Sequence, residues 1–106
     1  MKTKTRYIIL ISEDLQGAAF LVELIKGITR SIKTDIANNF KELTQMIAKK
    51  LPDLIVMHFK DSSEAYSGFM MKFRQNARMD RIPVLIFSAL PDKEEFHDLL
   101  RQFSKT

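Results

Sequence analysis

Two adjacent carboxylates, Glu13 and Asp14, stand behind the apolar run Ile8–Ile11, with Ser12 between. Clustered carboxylate oxygens are hard donors, and the pair alone can bind a divalent cation weakly. His58 closes a second apolar run, Leu54–Met57, and is followed by Lys60 and Asp61. Imidazole can act as a nucleophile or a zinc ligand. His97 has no second ligand near it in sequence, so spacing gives no support to a zinc site with His58. Ser88 closes a third run, Val84–Phe87. A Ser-His-Asp triad is a spatial object and does not follow from spacing. The glycines Gly17, Gly27 and Gly68 are isolated, so there is no Gly-rich phosphate loop. Each group also has a plainer reading: Asp14 as a helix cap, Ser88 as a strand-end hydroxyl, His58 as a partly buried strand-end histidine bonded to Glu13 or Asp14.

The bulk properties narrow the classes. The chain has 106 residues, 45% hydrophobic and 28% charged, enough for one core and a single domain over 1–106. No apolar run approaches a membrane span, and Ser12-Glu13-Asp14 cuts off the only stretch resembling a secretory signal. The absence of cysteine excludes disulfides, thiolate metal sites and cysteine nucleophiles. A cytoplasmic chain is expected. The net charge of +4 is spread out; its densest internal stretch, Lys72–Arg81, reads first as a solvated helix face and second as a nucleic-acid surface. The cations Lys49, Lys50, Arg78, Arg101 and Lys105 fall where helices should end and complement the helix dipole. The six methionines read as core filler.

Short β-rich runs alternate with helical periods. Tyr7–Ile11 predicts a strand, and Leu15–Gly27 a helix with Ala18, Leu21, Val22 and Ile25 inward. Ser31–Ala37 is a weaker strand. Asn38 or Asn39 caps a helix whose stripe is Phe40, Leu43, Ile47 and Leu51, ending at Pro52. Asp53–Phe59 is a strand, Lys60–Ser67 a polar loop, and Phe69–Ala77 a helix with Phe69, Met70 and Phe73 inward. Ile82–Ser88 is a strand. Asp92–Phe103 is a helix opened by Asp92 with Glu95, with a stripe of Phe96, Leu99, Leu100 and Phe103. This β-α alternation predicts a parallel sheet with helices on both faces. Ligands of such sheets bind outside the carboxyl ends of the strands, where Ser12, Glu13 and Asp14, then His58, Phe59, Lys60 and Asp61, then Ser88 and Ala89 fall.

In that order and spacing, Ile9–Asp14, Pro52–Met57, Gly68 and Ile82–Ala89 resemble the receiver domain of bacterial two-component response regulators. The resemblance runs from about residue 5 to residue 104. It implies a three-layer flavodoxin-like fold: the complete family sheet has order 2-1-3-4-5, with helices one and five covering one face and helices two to four the other, and this chain is expected to keep order 2-1-3-4 without the fifth strand and helix. It also implies phosphoryl transfer to an aspartate ending the third strand, Mg²⁺ on an acidic pair, and a hydroxyl and a fifth-strand lysine around the phosphoryl group. Glu13 and Asp14 match the pair, Ser88 the hydroxyl, and Gly68 the glycine opening helix three. His58 stands where the acceptor aspartate belongs, and no fifth strand, lysine or fifth helix follows helix four. Imidazole cannot form an acyl phosphate and is a poor Mg²⁺ ligand. The pocket Glu13, Asp14, His58, Lys60, Ser88 therefore reads as degenerate, with Lys60 placed to neutralise the acidic pair. Asp61 as a displaced acceptor, phosphohistidine at His58, and nucleic-acid binding through Lys72–Arg81 stay open as alternatives.

Without a fifth unit, strand four becomes an edge and the face under helix five becomes bare. Such surface invites a partner, unless the chain is a fragment of a longer protein. The expectation is a pseudo-receiver module, not an enzyme and without a cofactor. It would act by phosphorylation-independent protein contact, with a protein partner or a second copy as a homodimer. The interface would be Val84, Leu85, Ile86 and Phe87, flanked by Phe96, Leu99, Leu100 and Phe103.

Overall fold

A computed structural model describes the chain at residues 6–12, 14–27, 32–59, 64–77, 79–87 and 89–104, with backbone alone at 6, 64–66, 69, 103 and 104. The apolar runs become strands β1 (Arg6–Ser12), β2 (Ile32–Ala37), β3 (Leu54–His58) and β4 (Val84–Phe87). They form one parallel sheet, ordered β2-β1-β3-β4. β3 is buried along its whole length, as near-continuous apolar composition requires of a central parallel strand. Helices α1 (Leu15–Lys26), α2 (Phe40–Lys49), α3 (Glu64–Gln75) and α4 (Lys93–Ser104) follow the strands, and a 3₁₀ turn, Met79–Arg81, precedes β4.

Side chains at the helix starts satisfy orphan N–H groups. Asp14 caps α1 by accepting from Gly17 N–H. Asn39, not Asn38, caps α2: its Oδ1 accepts from Glu42 N–H at 2.8 Å, while Glu42 accepts from Asn38 N–H at 3.2 Å. Asp92 accepts from Glu95 N–H at 2.8 Å, the expected opening of α4. Two expectations are corrected. α3 begins at Glu64, so Gly68 lies inside the helix and does not open it; the Glu-Ala-Tyr start is compatible with helix, and a Cβ at Gly68 would meet nothing within 4 Å. α2 stops at Lys49, which leaves Leu51 outside the stripe and 42% exposed.

Strand alternation splits the core in two. Tyr7, Ile9, Ile11, Ile55 and Met57 face α2 and α3, meeting Leu43, Ile47 and Phe73. Ile8, Leu10, Leu54 and Val56 face α1, meeting Leu21, Leu24 and Ile25. Phe96 and Leu100 of α4 belong to this second cluster, and His97 Nε2 lies 3.2 Å from the Leu24 carbonyl. So α4 lies beside α1, and the expectation that this face is bare is corrected. The reason is topological. Right-handed crossovers fix α1 on one face and α2 and α3 on the other. No described strand follows α4, so that rule does not bind it. On the α1 face α4 finds apolar partners in Leu85 and Phe87; the Phe87 and Phe96 rings meet at 5.9 Å.

At the amino end of the sheet, Tyr7 is 6% exposed, its hydroxyl donates to Asp35 at 2.7 Å, and Lys50 Nζ lies 5.3 Å from its ring centroid. Burial, then the hydrogen bond and charge of Asp35, push its phenol up to about 12.

Candidate functional site

The pairing register brings three strand ends level: Ser12 beside His58, and His58 beside Phe87. Each continues the set of residues on the α1 side of its own strand; Ser12 and His58 lie beneath the first turn of α1, and Phe87 lies against Phe96 of α4. His58 is 2% exposed. A buried polar side chain needs a partner, and Ser12 supplies it, with Oγ 2.9 Å from His58 Nδ1. Hydroxyl and ring exchange donor and acceptor roles with the tautomer of the imidazole. Asp14 N–H donates to the same Ser12 Oγ at 3.3 Å. Ser12 is the direct cross-strand neighbour of His58, which is why it supplies the bond; Glu13, one of the two expected partners, lies outside the described residues.

Gly17 seals the arrangement. A Cβ on it would stand 2.8 Å from His58 Nδ1, 2.8 Å from Ser12 Oγ and 2.9 Å from Asp14 Oδ1. Those distances are below ordinary contact, so only glycine lets the helix settle this low on the polar trio. The sequence places Ser12 at a strand end where ligands bind but gives it no role, and Gly17 is not legible as a site residue. The available signals were a hydroxyl immediately before the acidic pair and a glycine three residues after the capping aspartate. Beside the trio an open cleft of about 570 Å³ is lined by Asp14, Gln16, Gly17, Phe20, His58, Ala89 and Leu90.

Of the expected pocket, the structure brings Asp14 and His58 together around Gly17; Glu13, Lys60, Ser88 and the alternative acceptor Asp61 lie outside the described residues. The Mg²⁺ that the resemblance implies does not fit the described donors. One carboxylate, Asp14, already accepts from the helix, and an imidazole replaces the second hard ligand. Among the described residues no group of three His, Asp or Glu side chains gathers as a metal site. Of the expected interface, Phe96 (0% exposed) and Leu100 (5%) are corrected: they are core residues, for the reason given above. Val84, Leu85, Phe87 and Leu99 are partly buried, Ile86 is 49% exposed, and the side chain of Phe103 lies outside the described residues. In the Lys72–Arg81 stretch, Arg74 stacks 5.5 Å from the Phe73 centroid and pairs with Asp80 at 3.5 Å, which tempers its charge. Among the described residues no helix is long and apolar enough to cross a membrane.

No protein-family model and no curated protein matches the sequence. Solved structures do. A candidate response regulator from Chloroflexus aurantiacus J-10-fl superposes with a TM-score of 0.79 at 14% identity, over 97% of this chain and 100% of that one. The chemotaxis response regulator CheY4 of Vibrio cholerae gives 0.76 at 10% identity, over 95% and 99%. The pseudo-receiver domain of the CikA protein gives 0.63 at 12% identity, over 93% and 97%. At these identities the likeness speaks for fold, and the sheet order and layers agree with it: this chain has the flavodoxin-like fold of response-regulator receiver domains.

Proposed function

We propose that the chain is a pseudo-receiver: a signalling module that works by protein–protein contact without being phosphorylated. One observation carries the reading. At the end of β3, where the resemblance implies an acceptor carboxylate, stands His58, 2% exposed, bonded to Ser12 and roofed by Gly17. A phosphoryl acceptor must be reached by a donor and must spread the developing charge over a metal or cationic groups. His58 Nδ1 is already engaged, and the described donors do not suit Mg²⁺. A pseudo-receiver domain stands among the structural neighbours, so the fold itself is compatible with the reading. The reading implies a cytoplasmic, non-enzymatic role with a protein partner.

Incubation with a small phosphodonor and Mg²⁺, followed by intact mass, tests it. No mass gain is expected. A gain of one phosphate abolished by His58→Ala would make His58 the acceptor and end the proposal. A gain abolished by Asp61→Ala would end it in favour of a displaced acceptor.

A further inference from the structure

The two edges of the sheet differ in chemistry. β2 carries Lys33 and Asp35 among its six residues, whereas β4 reads Val-Leu-Ile-Phe, with neither charge nor proline. Charges and prolines are what keep an open edge from pairing with another chain. On the inner side of β4, the carbonyls of Pro83 and Phe87 accept from Ile55 and Phe59 N–H at 3.0 and 3.1 Å. Alternation along the strand then turns the N–H and C=O groups of Val84 and Ile86 outward. Among the described residues no strand lies beside them. Their side chains share the α2–α3 face, where Val84 packs against the core and Ile86 stays 49% exposed.

We propose that β4 is a contact surface between two copies of this chain, paired antiparallel about a two-fold axis through Leu85. In that register Val84 of each copy stands opposite Ile86 of the other. The pair exchanges both N–H···O bonds, so all four outward groups on each strand are satisfied. Leu85 meets its own counterpart at the intervening non-hydrogen-bonded site. Each exposed Ile86 gains Val84 of the second copy as a cover. A second copy fits better than an unrelated strand because the pairing closes. The joined sheet ends in two β2 strands, both carrying Lys33 and Asp35, and no unguarded edge is left to grow from. Two-fold closure is also the commonest symmetry of homo-oligomers. The inference goes beyond the pseudo-receiver reading and does not depend on it, since nothing at His58 takes part.

Analytical ultracentrifugation and disulfide trapping test it. At high micromolar concentration the wild-type chain is expected at twice the monomer mass. Ile86→Pro removes one outward N–H, leaves the β3 ladder whole, and is expected at the monomer mass with unchanged circular dichroism. Should Ile86→Pro lose its fold, Ile86→Lys keeps the backbone, sets a charge opposite Val84, and is read by the same two outcomes. The chain has no cysteine, so Leu85→Cys introduces a single thiol. Across the axis its Cα atoms would stand about 4.5 Å apart, within disulfide reach. Oxidation is expected to trap Leu85→Cys as a covalent dimer and to leave Lys33→Cys monomeric. A wild-type monomer at that concentration, a dimer indifferent to both Ile86 variants, or equal trapping of the two thiols would overturn the proposal.

Discussion

Ser12 and His58 stand side by side across the β1–β3 pairing, with Oγ and Nδ1 2.9 Å apart. The contact is a consequence of register. A residue ending β3 on the α1 face must lie under the first turn of α1, with β1 as its nearest source of a polar partner. The same bond keeps a polar residue in the core and engages one of its two ring nitrogens, Nδ1.

Gly17→Ala is expected to destabilise the chain by about 1–3 kcal/mol, because its Cβ overpacks the site. The new atom would sit 2.8 Å from both His58 Nδ1 and Ser12 Oγ. Urea unfolding measures the loss. Combining the change with His58→Ala removes one of the blocking atoms, so the double variant should lose less than the sum of the singles. Strict additivity would show that the strain lies elsewhere.

Three substitutions at His58 should separate packing, hydrogen bonding and charge. His58→Ala leaves a cavity and a deserted hydroxyl and is expected to cost about 2–4 kcal/mol. His58→Asn keeps a polar atom for Ser12 and should cost less. His58→Asp buries a carboxylate, whose pKa in the folded state must rise through desolvation. The unfolded chain then releases its proton first as pH rises, so stability falls relative to wild type from about pH 4 toward neutrality. Denaturation midpoints at pH 5 and pH 7 give the comparison. A His58→Asp variant whose deficit does not grow with pH would mean that water or a cation reaches the site.

Much of the frame is legible in the sequence because it rests on local physics. The uninterrupted apolar runs mark strands buried on both faces, and Asp14, Asn39 and Asp92 mark helix starts through bonds that span only a few residues. The site is less legible. Ser12 and His58 are separated by 46 residues, and only the strand register makes them neighbours. Gly17 is required by close approach, not by its own dihedral angles, so its place three residues after the capping Asp14 is only a weak signal of that need. The placement of α4 was hidden for another reason. Its amphipathic stripe says which side of the helix is buried, not which face of the sheet buries it.

Tyr7 makes stability depend on alkaline pH. Its phenol is pushed up to about 12 in the folded chain, against about 10 when unfolded. Between those values the unfolded state releases its proton and the folded state keeps it. The stabilisation is therefore complete below pH 10 and is lost as pH rises toward 12. The loss is at most about 2 kcal/mol after allowance for screening. Lysines titrate in the same range, so the readout is the difference between wild type and Tyr7→Phe. The wild-type curve should fall more steeply, and Tyr7→Phe should lose the late step of tyrosinate absorbance. Parallel curves would mean that neither the burial of Tyr7 nor its Asp35 bond persists in solution.

Phe96 and Ile86 should respond oppositely to truncation, and that contrast tests the placement of α4. Phe96 is fully buried between α1 and the sheet, against the Phe87 ring. Removing it strips a large apolar side chain from a closed site, so Phe96→Ala is expected to cost about 3–5 kcal/mol. Ile86 is 49% exposed at the β4 edge, and Ile86→Ala should cost less than about 1 kcal/mol in a dilute, monomeric sample. Were α4 instead displayed as a free surface, with the sheet face beside α1 left bare, Phe96→Ala would resemble Ile86→Ala. Hydrogen exchange adds a second reading. Val56 and Leu54 lie under the α1–α4 layer, so in Phe96→Ala the amides of β3 and α1 should lose protection together, whereas Ile86→Ala should leave them unchanged.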